Sequence, residues 1–207
     1  MKKIILSMVA IMAFGFANAQ DKDAKGFGFS KGNLFLEGNL AFGSTNDKNT
    51  EIKTSSFSFN PKVGYFITDK FAVGINFGIG SGKTTQPSTP DVKTSNFNIG
   101  AFGRYYFLNL GERFKTYTEF GFDITSSKTG DADFQKRNGF NVGAGLGMNY
   151  FVSPKMAISF GLSNVLNYQS SKSKASGDNG ENSFGANINV FNNFFDTPTF
   201  GLLYKLN

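Results

Sequence analysis

From about residue 33 onward, apolar and small polar residues alternate with a period of two over most of the chain. Such alternation puts successive side chains on opposite faces of a β-strand. The stretch 62–80, KVGYFITDKFAVGINFGIG, shows the design: alternation runs up to Tyr65-Phe66, a short polar turn follows, and alternation resumes. The layout returns at 102–122 and 146–162, and the pairs Tyr65-Phe66, Tyr106-Phe107 and Tyr150-Phe151 stand 41 and then 44 residues apart. A hairpin repeated at that interval predicts an all-β fold, an eight-stranded antiparallel up-and-down barrel.

Strand one is predicted over 33–44, with Leu34, Leu36, Leu40 and Phe42 on one face and Phe35, Glu37, Asn39 and Ala41 on the other. Strand two, 55–67, sends Phe57, Phe59, Val63, Tyr65 and Ile67 outward and Ser58, Asn60, Lys62 and Gly64 inward. Strand three, 71–81, has an unbroken outward stripe of Phe71, Val73, Ile75, Phe77 and Ile79. Strands four (94–107) and five (from 114) place Phe97, Ile99, Tyr105, Phe107, Phe114, Phe120 and Phe122 outside. Strands six (139–151) and seven (from 156) continue the pattern, with Asn164 marking a rim or a bulge. The apolar residues of 183–206 share one parity, so one long last strand is expected, bulged near Asp196-Thr197-Pro198, with a separate ninth strand as the alternative.

Short turns at 68–70, 109–112 and 153–155 lie at one end, and long polar loops at 45–53, 82–93, 128–137 and 170–181 lie at the other. Transmembrane barrels show this asymmetry, with short periplasmic turns and long extracellular loops. Their strands must close into a ring, because hydrocarbon offers backbone amides no partner.

Composition sharpens this. The chain has 26 Phe and 25 Gly but no Trp. Phenylalanine at alternate positions suits a lipid-facing wall, and glycine opposite it suits a narrow, crowded interior. Tyr65, Phe71, Tyr105, Phe107, Phe114, Tyr150 and Tyr204 gather beside the short turns, and Phe42, Phe57, Phe97, Phe140 and Phe184 beside the long loops. Two aromatic girdles around an apolar band are expected at lipid interfaces. The rival is a soluble, periplasmic lipocalin-like lipid-binding barrel, which would line its cavity with the apolar faces. Its outer surface would carry more Lys and Glu than the Gly, Asn, Ser and Ala found on the other face here.

At the N-terminus, Lys2 and Lys3 precede an apolar run over 4–16 and the sequence Ala17-Asn18-Ala19. This reads as a signal peptide, 1–19, with the barrel domain over 20–207. The apolar run is too short for a spanning helix, which needs about 20 residues. Removing the segment lowers the net charge from +6 to +4. The remaining lysines are scattered, so no nucleic-acid partner is expected. Without cysteine, stability rests on packing and a closed hydrogen-bond ladder.

The inward charges are Glu37, Lys62, Arg104, Lys115, Glu119 and Asp123. A symmetric first hairpin sets Glu37 opposite Lys62, and the turn at 109–112 makes Arg104 and Glu119 diagonal neighbours. Pairing offsets the cost of isolated interior charges, and an eight-stranded ring is just wide enough for its own side chains. These residues are therefore expected to form a structural plug, with a gated ion path as the sharper alternative. Catalysis is not expected. With no His and no Cys, most nucleophile–base sets and the usual zinc sites are ruled out. The pairs Asp131 and Asp133, and Asp178 and Glu181, lack the ligand density of a calcium loop, so neither metal nor cofactor is expected.

The Ala-Asn-Ala-Gln export junction, the three turn hairpins and the final FGLLYKLN over 200–207 together resemble the small eight-stranded outer-membrane barrels. These are the OmpA-barrel and OmpX-like group, in the Phe/Gly/Asn-rich form of the Bacteroidota-type outer-membrane β-barrel domain. The resemblance covers the whole chain after residue 19. It implies an outer-membrane address, a salt-bridged interior, outer-membrane lipids as surroundings, and insertion by the barrel-assembly machinery through the last strand. It also implies a monomer, with extracellular partners reached through the long loops. One feature departs from the group: an aromatic final residue is usual, and here Leu206-Asn207 follows Tyr204.

Overall fold

The computed structural model describes residues 26–130, 135–175, 177–187 and 199–207. The predicted signal peptide, Asp131 and Asp133, and the expected bulge at Asp196-Thr197-Pro198 lie outside the described residues. Among the described residues nine strands follow in order: β1 Leu34–Asp47, β2 Ile52–Phe66, β3 Phe71–Gln86, β4 Thr89–Leu110, β5 Phe114–Thr129, β6 Lys136–Phe151, β7 Met156–Ser173, β8 Glu181–Ala186 and β9 Thr199–Lys205. Each of β1 to β7 pairs antiparallel with the next, and β9 bridges β7 and β1 to close the ring.

The last segment, expected as a single bulged strand, contributes β8 and β9, and residues 188–198 between them lie outside the described residues. β8 pairs with the far half of β7, from Leu166 to Ser171, whereas β9 pairs with its near half, Met156 to Gly161. The two together fill the eighth position of the barrel.

The faces divide as the alternation predicts. Ile75, Phe120 and Leu202 are 63%, 57% and 62% exposed on the outside, whereas Phe35, Phe66 and Phe151 are fully buried within. A soluble carrier would show the reverse.

The strands run well past the apolar band, and this corrects the loop expectations. The segments expected as loops at 45–53 and 82–93 are mostly β-ribbon, with turns only at 48–51 and 87–88. The third and fourth loops shorten likewise, since β5 reaches Thr129 and β7 reaches Ser173. Hydrophobic periodicity ends where lipid ends, but the backbone ladder needs no lipid. Ser- and Thr-rich strands continue it into water. At the second tip, Pro87 precedes Ser88 at φ +60°, the backbone of a type II turn.

Besides a register shift between Thr84 and Gln86 near the second tip, three irregularities among the described residues adjust the ring. Phe107 is an extra residue between the pairs Tyr106↔Tyr117 and Leu108↔Thr116, so Phe107 and Leu108 both face outward. The β4–β5 turn therefore falls at 111–113 rather than 109–112. On β7, register shifts on either side of the Gly145↔Asn164 and Leu146↔Ser163 pairs put two bulges around Asn164, which local irregularity and bending accompany.

Ahead of β1, the described residues from Gly26 to Asn33 cork the barrel. Phe29 stacks on Phe66 at 4.3 Å and lies within 5.9 Å of the Tyr106, Phe151 and Phe35 rings. Gly28, at φ +122°, makes the bend, and its carbonyl accepts the Lys205 ammonium at 3.0 Å. Asn207 ties the two ends together: its side chain accepts from the Leu34 amide at 2.7 Å, and its carbonyl accepts from Asn33 at 2.9 Å.

Candidate functional site: the lumen

The interior is layered. Nearest the short turns lies the aromatic cork. Above it, Glu37 on β1, Lys62 on β2, Arg104 on β4 and Glu119 on β5 point into the same level. Arg104 is fully buried. Its guanidinium donates to both Glu37 carboxylate oxygens at 2.6 and 2.9 Å and to Glu119 through Nε at 2.7 Å. Lys62 donates to the other Glu119 oxygen. The result is a four-member chain, Glu37–Arg104–Glu119–Lys62, spanning the lumen. Forked, charge-assisted bonds of this kind are the strong ones.

The glutamates' fork is backed by rings. Arg104 lies 4.0 Å from the Tyr117 ring centroid and 5.4 Å from that of Phe35. Its NH1 also reaches the Tyr106 hydroxyl at 3.3 Å; that hydroxyl donates to Asn149 at 2.6 Å, and Asn149 donates to Ser159 at 2.7 Å. The relay extends the network from β4 to β6 and β7.

Glycine makes room for the rings. Phe35 faces Gly64, Phe102 faces Gly74 and Tyr117 faces Gly147 across neighbouring strands. A Cβ at those glycines would come within 2.2 Å of Phe35, 2.5 Å of Phe102 and 2.3 Å of Tyr117. The Phe/Gly alternation of the sequence is thus a packing rule: an inward ring lies over a bare backbone on the next strand.

On the extracellular side of the charge chain is a polar cavity of about 590 Å³, lined by Lys62, Glu119, Asp123, Asn39, Asn60 and Asn141 among others.

Of the six predicted lumen charges, four converge. Glu37 and Lys62 are register partners, but their charges turn to Arg104 and Glu119 instead of each other. Arg104 and Glu119 are direct register partners, not diagonal neighbours, because the later turn and the Phe107 bulge shift the pairing. Two stand apart. Asp123 accepts from Asn76, and Lys115 lies at the mouth beside Phe27 and Glu112. Sequence reasoning missed Phe29, the Tyr106–Asn149–Ser159 relay and buried Lys205. Parity alone places Lys205 inward, but nothing local shows what it meets.

Around the lower rim, Tyr65, Tyr105, Phe107 and Phe114 are exposed outward, while Phe71, Tyr150 and Tyr204 are half-buried. Phe114 and Tyr150 are register partners with rings 4.6 Å apart. At the outer tips, Asp178 accepts the Gly180 and Ser173 amides at 2.7 and 2.6 Å, which hold its carboxyl below the usual range. Arg137 faces both Asp178 and Glu181.

The sequence model of the family described as "Outer membrane protein beta-barrel domain" matches residues 6–194. No curated protein matches the chain. Similar solved structures include the outer membrane protein OprG from Pseudomonas aeruginosa, at 14% identity and a TM-score of 0.49, covering 86% of this chain and 97% of OprG. Outer membrane protein W of E. coli is 12% identical with a TM-score of 0.45, covering 85% of this chain and 98% of its own. Ail, the attachment invasion locus protein of Yersinia pestis, is 14% identical with a TM-score of 0.42, covering 84% and 99%.

Proposed function

Because the chain belongs to the outer membrane protein beta-barrel domain family and so resides in the outer membrane, we propose that it is a sealed barrel with a structural or interaction role. In this reading the lumen conducts nothing, and the polar β-ribbons meet partners outside the cell. The observation that carries the reading is the Glu37–Arg104–Glu119–Lys62 chain, which crosses the lumen directly above the aromatic cork. Arg104, fully buried and matched by a glutamate on either side, is not free to line an aqueous path.

The barrel does no covalent chemistry in this reading, which the absence of His and Cys supports. It is a monomer surrounded by outer-membrane lipid, and β9 serves as the strand that the barrel-assembly machinery engages. A second reading, a narrow channel for ions or small solutes, draws on the 590 Å³ polar cavity, which reaches the charge chain from outside.

Planar-bilayer recording separates the two. The wild-type barrel is expected to give no persistent conductance steps. Large, stable steps from wild type would replace the sealed barrel with the channel.

A further inference from the structure

Rings lie over Gly64, Gly74 and Gly147, but on one wall of the polar cavity the glycines are bare. Gly121 on β5 and Gly143 on β6 are register partners, and both line the cavity. Among the described residues, a Cβ on Gly121 would meet nothing nearer than 3.9 Å, and one on Gly143 only the Leu166 carbonyl oxygen at 3.4 Å. Glu119 bounds this strip of backbone below, and the Asp123–Asn141 register pair bounds it above. Four residues of β5 separate Glu119 from Asp123, about 13 Å. The cavity around the strip, about 590 Å³, has the size of a small-molecule site.

The niche is rich in acceptors. Asn76 donates to one oxygen of Asp123, and the other leans over the strip, 3.9 Å from where a Gly121 Cβ would stand. Beside it, Oδ1 of Asn141 is buried with no hydrogen-bond partner. A carboxylate only accepts, and an unmatched buried acceptor is costly, so the pair calls for a donor.

Charge calls for the same thing. Three carboxylates line the cavity, those of Glu37, Glu119 and Asp123. Arg104 and Lys62 bind the two glutamates, and among the described residues Asp123 forms no ion pair. None of the residues at 131–134, 176 or 188–198 is basic. A ligand that both donates and carries positive charge therefore suits the niche. Bare backbone on adjacent strands offers a flat bed for the face of a ring. Asn39 and Asn60, which also line the cavity, supply amides of the kind that pair with hydroxyls.

We infer that the niche binds an amino sugar from outside the cell. Its protonated amine sits between Asp123 and Asn141, and its ring lies on the backbone of Gly121 and Gly143. The assignment holds whether or not the lumen conducts.

The test uses the full chain folded in detergent, with bound ligand read by saturation-transfer NMR. Glucosamine is expected to bind saturably and about tenfold more tightly than glucose, since one charge-assisted hydrogen bond separates them. Asp123→Asn should bring glucosamine down to the level of glucose. Gly121→Leu fills the niche without a clash at its Cβ and should lose both sugars. If that variant does not fold, Asp123→Asn decides. Equal binding of the two sugars by wild type, an unchanged preference in Asp123→Asn, or sugar retained by Gly121→Leu would overturn the assignment. Displacement of glucosamine by a lower concentration of calcium chloride would also overturn it, in favour of a metal site.

Discussion

Replacing Arg104 with leucine is expected to cost the folded barrel about 3–5 kcal/mol, the usual cost of breaking a buried charge pair from one side. The guanidinium has no exposed surface and accounts for most of the neutralisation of two carboxylates held on different strands. With leucine there, Glu37 and Glu119 face each other across a low-dielectric interior, with Lys62 left to Glu119 alone. Lysine at 104 should cost less, because it keeps the charge, but not nothing, because it cannot fork to both glutamates. Adding Glu37→Gln and Glu119→Gln to the leucine variant should restore part of the loss, since the uncompensated charge is then gone. Urea unfolding of each variant in lipid vesicles measures the series. If Arg104→Leu unfolds at the wild-type midpoint, the chain across the lumen does not hold the strands together.

The second large effect is steric and depends on position. Gly147→Ala is expected to destabilise by about 1–3 kcal/mol, as overpacking does. The new methyl would sit 2.3 Å from Tyr117, and that ring cannot retreat: Arg104 lies 4.0 Å from its centroid on one side and Tyr106 5.3 Å away on another. Gly143→Ala on the same inward face of β6 is the control. There the nearest heavy atom is the Leu166 carbonyl oxygen at 3.4 Å, an ordinary contact. Alanine then brings only its smaller unfolded-state entropy, a gain of about 0.4–1 kcal/mol. Opposite signs at two glycines four residues apart would not follow from strand propensity alone. The same unfolding measurement reads both, and equal shifts would contradict the ring-over-glycine packing.

Much of the fold was legible because period-two alternation is local. The outward stripe of β3 and the facing of Glu37 and Lys62 across the first hairpin both follow from counting along the chain. The Arg104–Glu119 register was misread for a specific reason. The turn expected at 109–112 falls at 111–113, and Phe107 bulges, and neither leaves a mark in an aromatic-rich, uninterrupted stretch.

Contacts across the lumen were out of reach altogether. Lys62 meets Glu119 at a separation of 57 residues, and Arg104 meets Glu37 at 67. Those meetings depend on ring closure and strand stagger, which no single hairpin encodes. The cork was hidden because glycines at 26, 28 and 32 break the alternation that marked everything else. The outer ribbons were mistaken for loops because polar residues on both faces carry no periodicity, although their backbones still pair.

Sealed lumen and glycine-backed rings both assume that phenylalanine faces touch lipid and glycine–asparagine faces look inward. The chain has no cysteine, so single spin labels test this cleanly in reconstituted vesicles. Labels at Ile75→Cys and Phe122→Cys should collide freely with lipid-dissolved oxygen, whereas their neighbours at Asn76→Cys and Asp123→Cys should be shielded from it. Oxygen access that is the same at adjacent positions, or higher at 76 and 123, would contradict the account.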